Sequence, residues 1–275
     1  MPLLDNHIIS IHQDGIALRG ALCGGSGIGR CTALLLAREG AAGIALADLV
    51  QGNMQSVKGE VEAAATNDRF SCITIAVDIS DPLSIKTMVK ATVEVFGRLD
   101  YAVNSAGVAF KSLGVVTDSE DWDRVIGANL TGTFDSMKEE ARQMLRQQPL
   151  DTSAPAQSQR GAIVNISSIA GLIGIRYSSA YVAFKHGVSG ITKNFALDYP
   201  EIKVNAVAPG YIATAITSAP GEMSRNASEK VANWVPMKRF GRPEEVAETI
   251  VWLLSGRSNF VHGTLIAIDS GYTAQ

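Results

Sequence analysis

Three side chains in the middle of the chain carry the functional groups of a proton-transfer site. Ser168 offers a hydroxyl, Tyr181 a phenol and Lys185 an amine, and the last two are four residues apart. Residues at i and i+4 share one face of a helix, so the phenol and the ammonium are presented together. A neighbouring ammonium stabilises a phenolate, which predicts that Lys185 lowers the pKa of Tyr181 and makes it a general acid and base. The alternative is that Tyr181 is a half-buried aromatic residue and Lys185 a solvated surface charge.

The elements around these residues are predicted from the local pattern. An apolar, β-branched run from Ala162 to Ile166 predicts a buried strand that ends at a serine pair. A glycine-punctuated loop follows, and then Ser178 and Ser179 offer N-caps for a helix. The strand end with its hydroxyl therefore lies beside the helix with the phenol and the amine.

The first half of the chain has the pattern of a nucleotide site. Residues 16–22 suggest a strand, the turn GGSGIG follows at 24–29, and an amphipathic helix closes at Gly40. Glycines let a phosphate approach the backbone, and a helix N-terminus favours negative charge. The next strand, 43–47, ends at Asp48, where a carboxylate can accept both hydroxyls of a ribose and repels a 2′-phosphate. The alternative is a glycine cluster that only makes a tight turn.

Polar residues recur at later positions of the same kind. A strand over 70–77 precedes Asp78 and Ile79, and a short buried strand over 99–103 precedes the run Asn104 to Gly107. An aspartate in this position is otherwise a routine turn residue or helix cap. A helix is predicted over 119–146, and its central Asn129 is unfavourable by propensity, which indicates a local hydrogen-bonding role.

Ser168, Tyr181 and Lys185, at intervals of 13 and then 4, resemble the catalytic set of the short-chain dehydrogenase/reductase family. Further motifs similar to those of the family follow in the same order over nearly the whole chain. The resemblance implies that Ser168 binds the substrate oxygen and that Asn129 holds a water near Lys185. The resemblance also implies dinucleotide contacts at Gly24, Ser26, Gly27, Ile28, Asp48, Asp78, Ile79, Asn104, Ala106, Gly107, Tyr181, Lys185, Pro209, Gly210, Ile212 and Thr214.

The glycine turn departs from the family pattern. Counting back from its last two glycines, the TGxxxGxG motif would place threonine at Leu22 and its first glycine at Cys23. Either Cys23 adopts a backbone suited to glycine, at a cost of about 1–3 kcal/mol, or the turn is one residue shorter and Gly24 is the first glycine. We expect a local rearrangement and weaker dinucleotide binding than an intact motif gives. Elsewhere Ser105 replaces the second asparagine of NNAG, and Ser270 replaces the first glycine of the final VDGG.

Composition excludes several classes of protein. The 24 basic and 27 acidic residues are mixed along the chain and give a net charge of −3, so no basic stripe indicates a nucleic-acid partner. Cys23, Cys31 and Cys72 lack CxxC spacing, which favours a reduced compartment, and the histidines form no metal-ligand pattern. The N-terminus does not resemble a secretory signal, and no apolar stretch is long enough to span a membrane. We therefore expect a cytoplasmic protein with no metal, nucleic-acid or membrane partner.

Strands alternate with helices along the whole chain. This pattern predicts one α/β domain over 1–275, with a Rossmann-like, doubly wound parallel sheet of about seven strands and helices on both faces. Residues 1–14 form an N-terminal leader, and 147–160 a surface insertion. Residues 215–237 lack one clean period and are interpreted as a mobile lid over the substrate.

The resemblance implies an NAD(P)(H)-dependent oxidoreductase that interconverts a ketone and a secondary alcohol. Asp48 and Ser26 favour NAD(H) over NADP(H), because neither attracts a 2′-phosphate. The resemblance also implies a homotetramer or homodimer. Two alternatives stay open, a non-redox isomerase or cyclase that uses the same pocket and a cofactor-binding scaffold without turnover. An apolar pocket for a small or medium, apolar or cyclic substrate is suggested by Val108, Phe110, Tyr177, Tyr211 and Trp234.

Overall fold

The computed structural model of the protein describes residues 21–107, 117–150, 159–214, 217 and 222–274. Within these ranges seven strands form one sheet: β1 (Ala21–Gly24), β2 (Gly43–Asp48), β3 (Ser71–Ala76), β4 (Tyr101–Asn104), β5 (Gly161–Ile166), β6 (Ile202–Pro209) and β7 (Leu265–Ile268). Their order is β3-β2-β1-β4-β5-β6-β7, and each neighbouring pair is parallel. The predicted fold class and strand number are confirmed.

Helices cover both faces of the sheet. They are α1 (Gly27–Arg38), α2 (Gln51–Ala64), α3 (Pro82–Phe96), α4 (Ser119–Ile126), α5 (Gly132–Arg146), α6 (Ser179–Asp198), α7 (Glu222–Trp234) and α8 (Pro243–Leu254). Buried residues of α1, α2 and α8 form one apolar core against the sheet, and those of α3, α5 and α6 form a second core on the other face. The doubly wound arrangement follows, since each face of a parallel sheet must be covered.

Local sequence accounts for the elements that carry the site. The central strands β5 and β6 are almost wholly buried and pair in register, with Ile163 opposite Val204. Helix α3 begins at Pro82 after Asp81, whose carboxylate accepts a hydrogen bond from the backbone N of Leu83 at 2.9 Å. It ends at Gly97, which has a φ of 80°. These are the preferred start and stop signals of a helix.

The strand order places one crevice at the carboxyl edge of the sheet. The chain runs outward from β1 through β2 to β3 on one side, and from β4 to β7 on the other. The order therefore reverses between β1 and β4, and ligands of such sheets bind outside the carboxyl ends at this point. The glycine turn and the polar residues at the ends of β2, β4, β5 and β6 all lie along this edge.

The two predicted excursions are described in part, and their roles as a surface insertion and a substrate lid stay predictions. The start of 147–160 is packed, because the side chain of Gln147 accepts from the backbone N of Leu99 at 2.7 Å and donates to its carbonyl at 2.8 Å. Leu150 is also buried. In the predicted lid, residues 222–234 form helix α7, with Ala227 and Val231 buried one turn apart.

Several predicted features lie outside the described residues. They are the leader over 1–14, most of the strand over 16–22, Val108 and Phe110, residues 151–158 of the insertion, and residues 215–216 and 218–221 of the lid. None of the described helices is both long and apolar enough to cross a lipid bilayer. In the same ranges, no three or more His, Cys, Asp or Glu side chains are grouped to hold a metal ion.

Candidate active site

The structure brings Ser168, Tyr181 and Lys185 together where β5 meets α6. Ser168 follows β5, and its Oγ accepts a hydrogen bond from the backbone N of Ala170 at 3.1 Å. This leaves the hydroxyl hydrogen of Ser168 for another acceptor. Two turns of α6 carry Tyr181 and Lys185, and the Nζ of Lys185 donates to the carbonyl of Ile166 at 2.6 Å. The amine is thereby held at the end of the strand that presents the serine.

Ser167, which sequence reasoning missed, ties this strand end to the helix. Its Oγ donates to the carbonyl of Lys185 at 3.2 Å and shares a hydrogen bond with the Oγ of Ser189 at 2.9 Å. Gly171 packs against the same atoms, since a Cβ there would lie 2.7 Å from the carbonyl O of Lys185. The adjacent serine pair was the available signal, because a second hydroxyl at a strand end requires a partner when buried.

The protonation of the pair differs from the prediction. Burial raises the pKa of Tyr181 above its ordinary value, and the hydrogen bond with Ser168 opposes this only in part. Burial also lowers the pKa of Lys185 to about 8. The Nζ of Lys185 lies 5.9 Å from the centre of the Tyr181 ring. The predicted lowering of the tyrosine pKa is therefore wrong for the free protein, because burial is the largest influence on this pKa and disfavours the charged phenolate.

Asn129 lies in a break of the predicted long helix. A single π-helical turn, Gly127–Thr131, separates α4 from α5, and such turns are frequent at functional sites. The side-chain amide of Asn129 donates to the carbonyl of Val125 at 2.9 Å, and the hydroxyl of Thr133 donates to the carbonyl of Asn129 at 2.7 Å. A Cβ on Gly107 would lie 2.6 Å from the Oδ1 of Asn129. The predicted catalytic asparagine thus packs against the loop after β4, and its role in holding a water stays a prediction.

The glycine turn adopts the shorter of the two predicted forms. Cys23 lies inside β1 opposite Leu46, with an extended backbone, so the predicted strain at Cys23 is wrong. The left-handed backbone falls instead on Gly27, with a φ of 51°. A Cβ on Gly29 would lie 2.8 Å from both the N and the O of Gly24. Gly24 therefore provides the close contact of strand and helix that the first and last glycines of such a turn make.

Ser105 occupies the space that this contact leaves. A Cβ on Gly24 or on Gly29 would lie 2.7 Å from the Oγ of Ser105. The side chain of Ser105 is therefore in close contact with both ends of the glycine turn.

The turn and the end of β2 fit the phosphates and ribose of a dinucleotide. Ser26 precedes α1 with an extended backbone and makes no side-chain cap bond, so the first backbone N–H groups of α1, from Gly27 and Ile28, face the turn. A Cβ on Gly25 would lie 3.4 Å from the Oδ2 of Asp48, which places this carboxylate against the turn. The other carboxylate oxygen of Asp48 accepts from the backbone N of Val50 at 3.1 Å. A glycine cradle, a helix N-terminus and an acidic strand end are thus adjacent.

The remaining predicted contacts divide into two groups. Asp78 serves its own turn, because its Oδ1 accepts from the Oγ of Ser80 at 2.6 Å and from its N at 2.8 Å, which lowers the pKa of Asp78. One cavity at the edge of the sheet is lined by four of the predicted residues, namely Gly24, Ile79, Asn104 and Ala106.

The chain after β6 returns to the same crevice. Pro209 ends β6, and the N of Gly210 donates to the carbonyl of Ile268 at 3.0 Å. Ile212 is buried and bridges to Gly241. The methyl group of Thr214 lies 3.7 Å from the position of a Cβ on Gly27, across from the glycine turn. The threonine predicted to contact the dinucleotide is therefore placed beside its phosphate turn.

A buried polar chain behind the site was not predicted. Glu140 on α5 accepts from Asn104, which also donates to Asn165 in the middle of β5. Asn165 in turn donates to Thr192 on α6 at 2.9 Å. The signals were present, since an asparagine interrupts the apolar run of β5 and a glutamate falls on the buried stripe of α5.

Comparisons with known proteins agree with this geometry. A family model described as enoyl-(acyl carrier protein) reductase matches residues 23–273. A 3-oxoacyl-[acyl-carrier-protein] reductase of Thermotoga maritima is 37% identical over 92% of this chain and 98% of its own. A cyclohexanol dehydrogenase of an Acinetobacter species is 38% identical over 91% of this chain and 92% of its own.

A solved structure of a reductase has a similar fold. The crystal structure of levodione reductase superposes with a TM-score of 0.84 at 32% identity, covering 94% of this chain and 99% of the other. The relatives named as short-chain dehydrogenases include one of Penicillium roqueforti, 35% identical over 97% of this chain and 99% of its own. With the serine, tyrosine, lysine and glycine turn in place on this fold, the chain is an oxidoreductase that belongs to the short-chain dehydrogenase/reductase family.

Proposed function

We propose that the protein uses NAD(H), in preference to NADP(H), to interconvert a ketone and a secondary alcohol on a small or medium, apolar or cyclic molecule, with Tyr181 as general acid and base. The observation that carries the proposal is the juxtaposition of Ser168, Tyr181 and Lys185 at the carboxyl edge of the sheet. The edge is also where the glycine turn and Asp48 lie. A nicotinamide bound along this edge supplies or accepts the hydride.

The side chains divide the proton chemistry between them. The raised pKa of Tyr181 keeps its phenol protonated at neutral pH, so it can donate a proton to the oxygen of a ketone. Ser168 hydrogen-bonds the same oxygen and holds it against the phenol. Lys185, whose pKa is about 8, is mainly an ammonium at neutral pH and is fixed by the carbonyl of Ile166. In the reverse direction Tyr181 must first lose its proton, and Asn129 would hold the water that accepts it.

The preference for NAD(H) rests on charge around the ribose site. Asp48 provides a carboxylate beside the turn, and the residues that follow it, Leu49 and Val50, are exposed and apolar. Arg30, in the first turn of α1, is ion-paired with Glu60 on α2. A 2′-phosphate would therefore be repelled by the carboxylate of Asp48, and the nearby Arg30 is already paired with Glu60. Ribose hydroxyls, in contrast, can donate hydrogen bonds to that carboxylate.

The proposed substrate class rests on the apolar and aromatic residues that the sequence suggests for the pocket. Tyr177 is exposed four residues before Tyr181, and Tyr211 packs edge-on against Tyr272 at 5.4 Å between ring centres. Trp234 at the end of α7 is also exposed. Relatives named for cyclohexanol and levodione point to cyclic ketones and alcohols as the first compounds to test.

The deciding experiment follows dinucleotide oxidation with a panel of cyclic and acyclic ketones, using NADH and NADPH in parallel. We expect turnover with a cyclic ketone, a higher kcat/KM with NADH, and loss of about 10²–10⁴-fold in kcat for Tyr181→Phe with little change in NADH affinity. Tyr199→Phe, directly after the end of α6, is the matched control and should keep full activity. Near wild-type turnover of Tyr181→Phe would remove it from the mechanism. Conversion of substrate without net dinucleotide oxidation would favour the isomerase, and NADH binding without any turnover the scaffold.

We also infer a cytoplasmic homotetramer or homodimer. Cys31 and Cys72 are buried free thiols, as a reducing compartment allows. The outer faces of α4 and α5 expose Trp122 and Phe134 at 40% each, and apolar residues of this size are commonly covered in symmetric assemblies. Light scattering at micromolar concentration tests the assembly, and a mass equal to one chain would refute it.

A further inference from the structure

Glu140 is a buried carboxyl group that the proposed chemistry does not use. It lies on α5 with 1% of its surface exposed, and its Oε2 accepts a hydrogen bond from the Nδ2 of Asn104 at 3.0 Å. Burial raises the pKa of Glu140 to about 7, and the hydrogen bond from Asn104 opposes this only in part. A buried group that changes its charge near neutral pH is rarely retained for packing alone.

Glu140 stands at one end of a directed chain of hydrogen bonds. The amide of Asn104 donates a second time, to the Oδ1 of Asn165 at 3.0 Å, and the amide of Asn165 donates to the Oγ1 of Thr192 at 2.9 Å. The hydroxyl of Thr192 donates to the carbonyl of Val188 at 2.8 Å. An ionised carboxylate can only accept, so Glu140 holds an amide hydrogen of Asn104 at one end of the series, and the carbonyl of Val188 sets the direction of the donors at the other end.

The consequence falls on the orientation of Asn104. A primary amide has two N–H hydrogens, and both are used by Glu140 and Asn165. The Oδ1 of Asn104 is then the one polar atom of this side chain left to meet a ligand, and it can only accept.

This series of hydrogen bonds begins beside the dinucleotide region. Glu140 lines the same cavity as Gly24, Ile79, Asn104 and Ala106, four residues placed in the dinucleotide site. Glu140 is therefore linked to this cavity both as one of its lining residues and through its hydrogen bond with Asn104.

We propose that Glu140 is a positioning residue for the dinucleotide, whose carboxylate holds the amide of Asn104 with its oxygen free to accept from the ligand, so that protonation of Glu140 weakens dinucleotide binding. A protonated carboxyl becomes a donor and competes for that oxygen. The amide of Asn104 then keeps only its hydrogen bond to Asn165, so its orientation is held less firmly. The proposal rests on the proposed function, since it takes the ligand of this cavity to be a nicotinamide dinucleotide.

Charged neighbours do not set the protonation of Glu140. Among the described residues, its pKa responds to burial and to Asn104, and no other side chain contributes. The titratable groups on the elements that contact α5 are Lys86, Lys90 and Glu94 on α3, Tyr101 on β4, Tyr181, Lys185, His186, Lys193 and Asp198 on α6, and Lys203 on β6; α5 itself also carries Asp135, Lys138, Glu139, Arg142 and Arg146.

The test measures the Kd for NADH by calorimetry between about pH 6 and pH 8, without any substrate. If only the ionised form binds, affinity of the wild type falls with the ionised fraction, by about tenfold over this range. Glu140→Gln keeps the shape but cannot titrate, so its Kd should be the same at both ends. Glu139→Gln removes a neighbouring carboxylate that is paired with Arg142 and should behave as wild type.

A second measurement does not depend on the folding of the variant. Carbon NMR of the Glu140 carboxyl in the wild type should show a lower pKa with NADH bound than without it, since linkage requires the effect to be reciprocal. A pKa unchanged or raised by NADH would overturn the proposal. So would a wild-type pH profile in Glu140→Gln, or a Kd that does not weaken at low pH in the wild type. Absence of NADH binding at every pH would refute the proposed function and this proposal with it.

Discussion

Gly29→Ala probes the contact on which the shorter glycine turn depends. A Cβ at this position would lie 2.8 Å from the N and the O of Gly24 and 2.7 Å from the Oγ of Ser105. Non-bonded carbon atoms pack at about 3.5–4.0 Å, so β1 and α1 would have to separate by roughly 0.7 Å. Two of the three clashing atoms belong to the backbone, so rotation of a side chain cannot relieve the crowding.

The size of the effect follows from this geometry. Overpacking of a close contact costs about 1–3 kcal/mol. If that cost falls on the binding-competent turn, the Kd for NADH should weaken by about 5- to 150-fold, since 1.4 kcal/mol is about tenfold. Alanine also favours the helix over glycine by about 1 kcal/mol, which offsets part of the loss of stability but none of the loss of affinity. Binding should therefore suffer more than folding.

Calorimetric titration with NADH and thermal unfolding together measure the two effects. The matched control is Gly59→Ala on α2, where a Cβ would meet nothing within 4 Å. We expect that control to raise stability by about 0.5–1 kcal/mol and to leave the Kd unchanged. Wild-type affinity in Gly29→Ala would refute the reasoning, because it would mean that Gly24 and Gly29 do not make the close contact.

Three further predictions concern protonation and backbone strain. Since burial raises the pKa of Tyr181, alcohol oxidation should accelerate with pH through the alkaline range while ketone reduction stays level across neutral pH; initial rates in both directions test this, and an oxidation optimum near neutral pH would contradict it. Burial lowers the pKa of Lys203 from 10.5 to about 8, so between these pH values the unfolded chain keeps a proton that the folded protein has lost. The free energy of unfolding should therefore rise with pH over this range. Melting curves of Lys203→Met should show a smaller rise. Ser270 has a φ of 58°, and its Oγ accepts from the N of Met237 at 3.3 Å, so Ser270→Ala should melt below wild type while Ser270→Gly, which relieves about 1 kcal/mol of strain, should not.

The order of strands and helices could be read from the sequence because its signals are local. The apolar runs before Asp48 and before Asn104 each form a strand, and each strand ends within one residue of the predicted end. The same holds for Pro243, which starts α8 with acidic residues in its first turn. Period, turn residues and caps act over a few residues, so they do not require knowledge of the fold.

The exact end of β1 could not be read in the same way. Matching residue types to the family motif placed the first glycine at Cys23, whereas the strand continues through Gly24 in register with Ala47. Register depends on pairing with β2, a segment about twenty residues further along the chain. The break at Asn129 and the helix α7 were missed for a related reason, because tertiary contacts override weak local propensity.

The polar residues behind the site are paired with partners that are distant in sequence, and no local pattern identifies these partners. The sequence separation is 36 residues between Asn104 and Glu140, 61 between Asn104 and Asn165, and 27 between Asn165 and Thr192. Each residue could be recognised singly as a polar group on a buried face. Its partner could not, because the partner is supplied by another element of the fold.

The pKa of Tyr181 likewise depends on the fold and could not be predicted from neighbouring residues. From the sequence, an ammonium four residues away predicted a lowered pKa; in the structure, burial acts on both groups and disfavours both charges, raising the pKa of Tyr181 and lowering that of Lys185. The proton therefore resides on the phenol before substrate arrives. In the proposed mechanism, ketone reduction would start from this protonated phenol, whereas alcohol oxidation would first require Tyr181 to lose its proton.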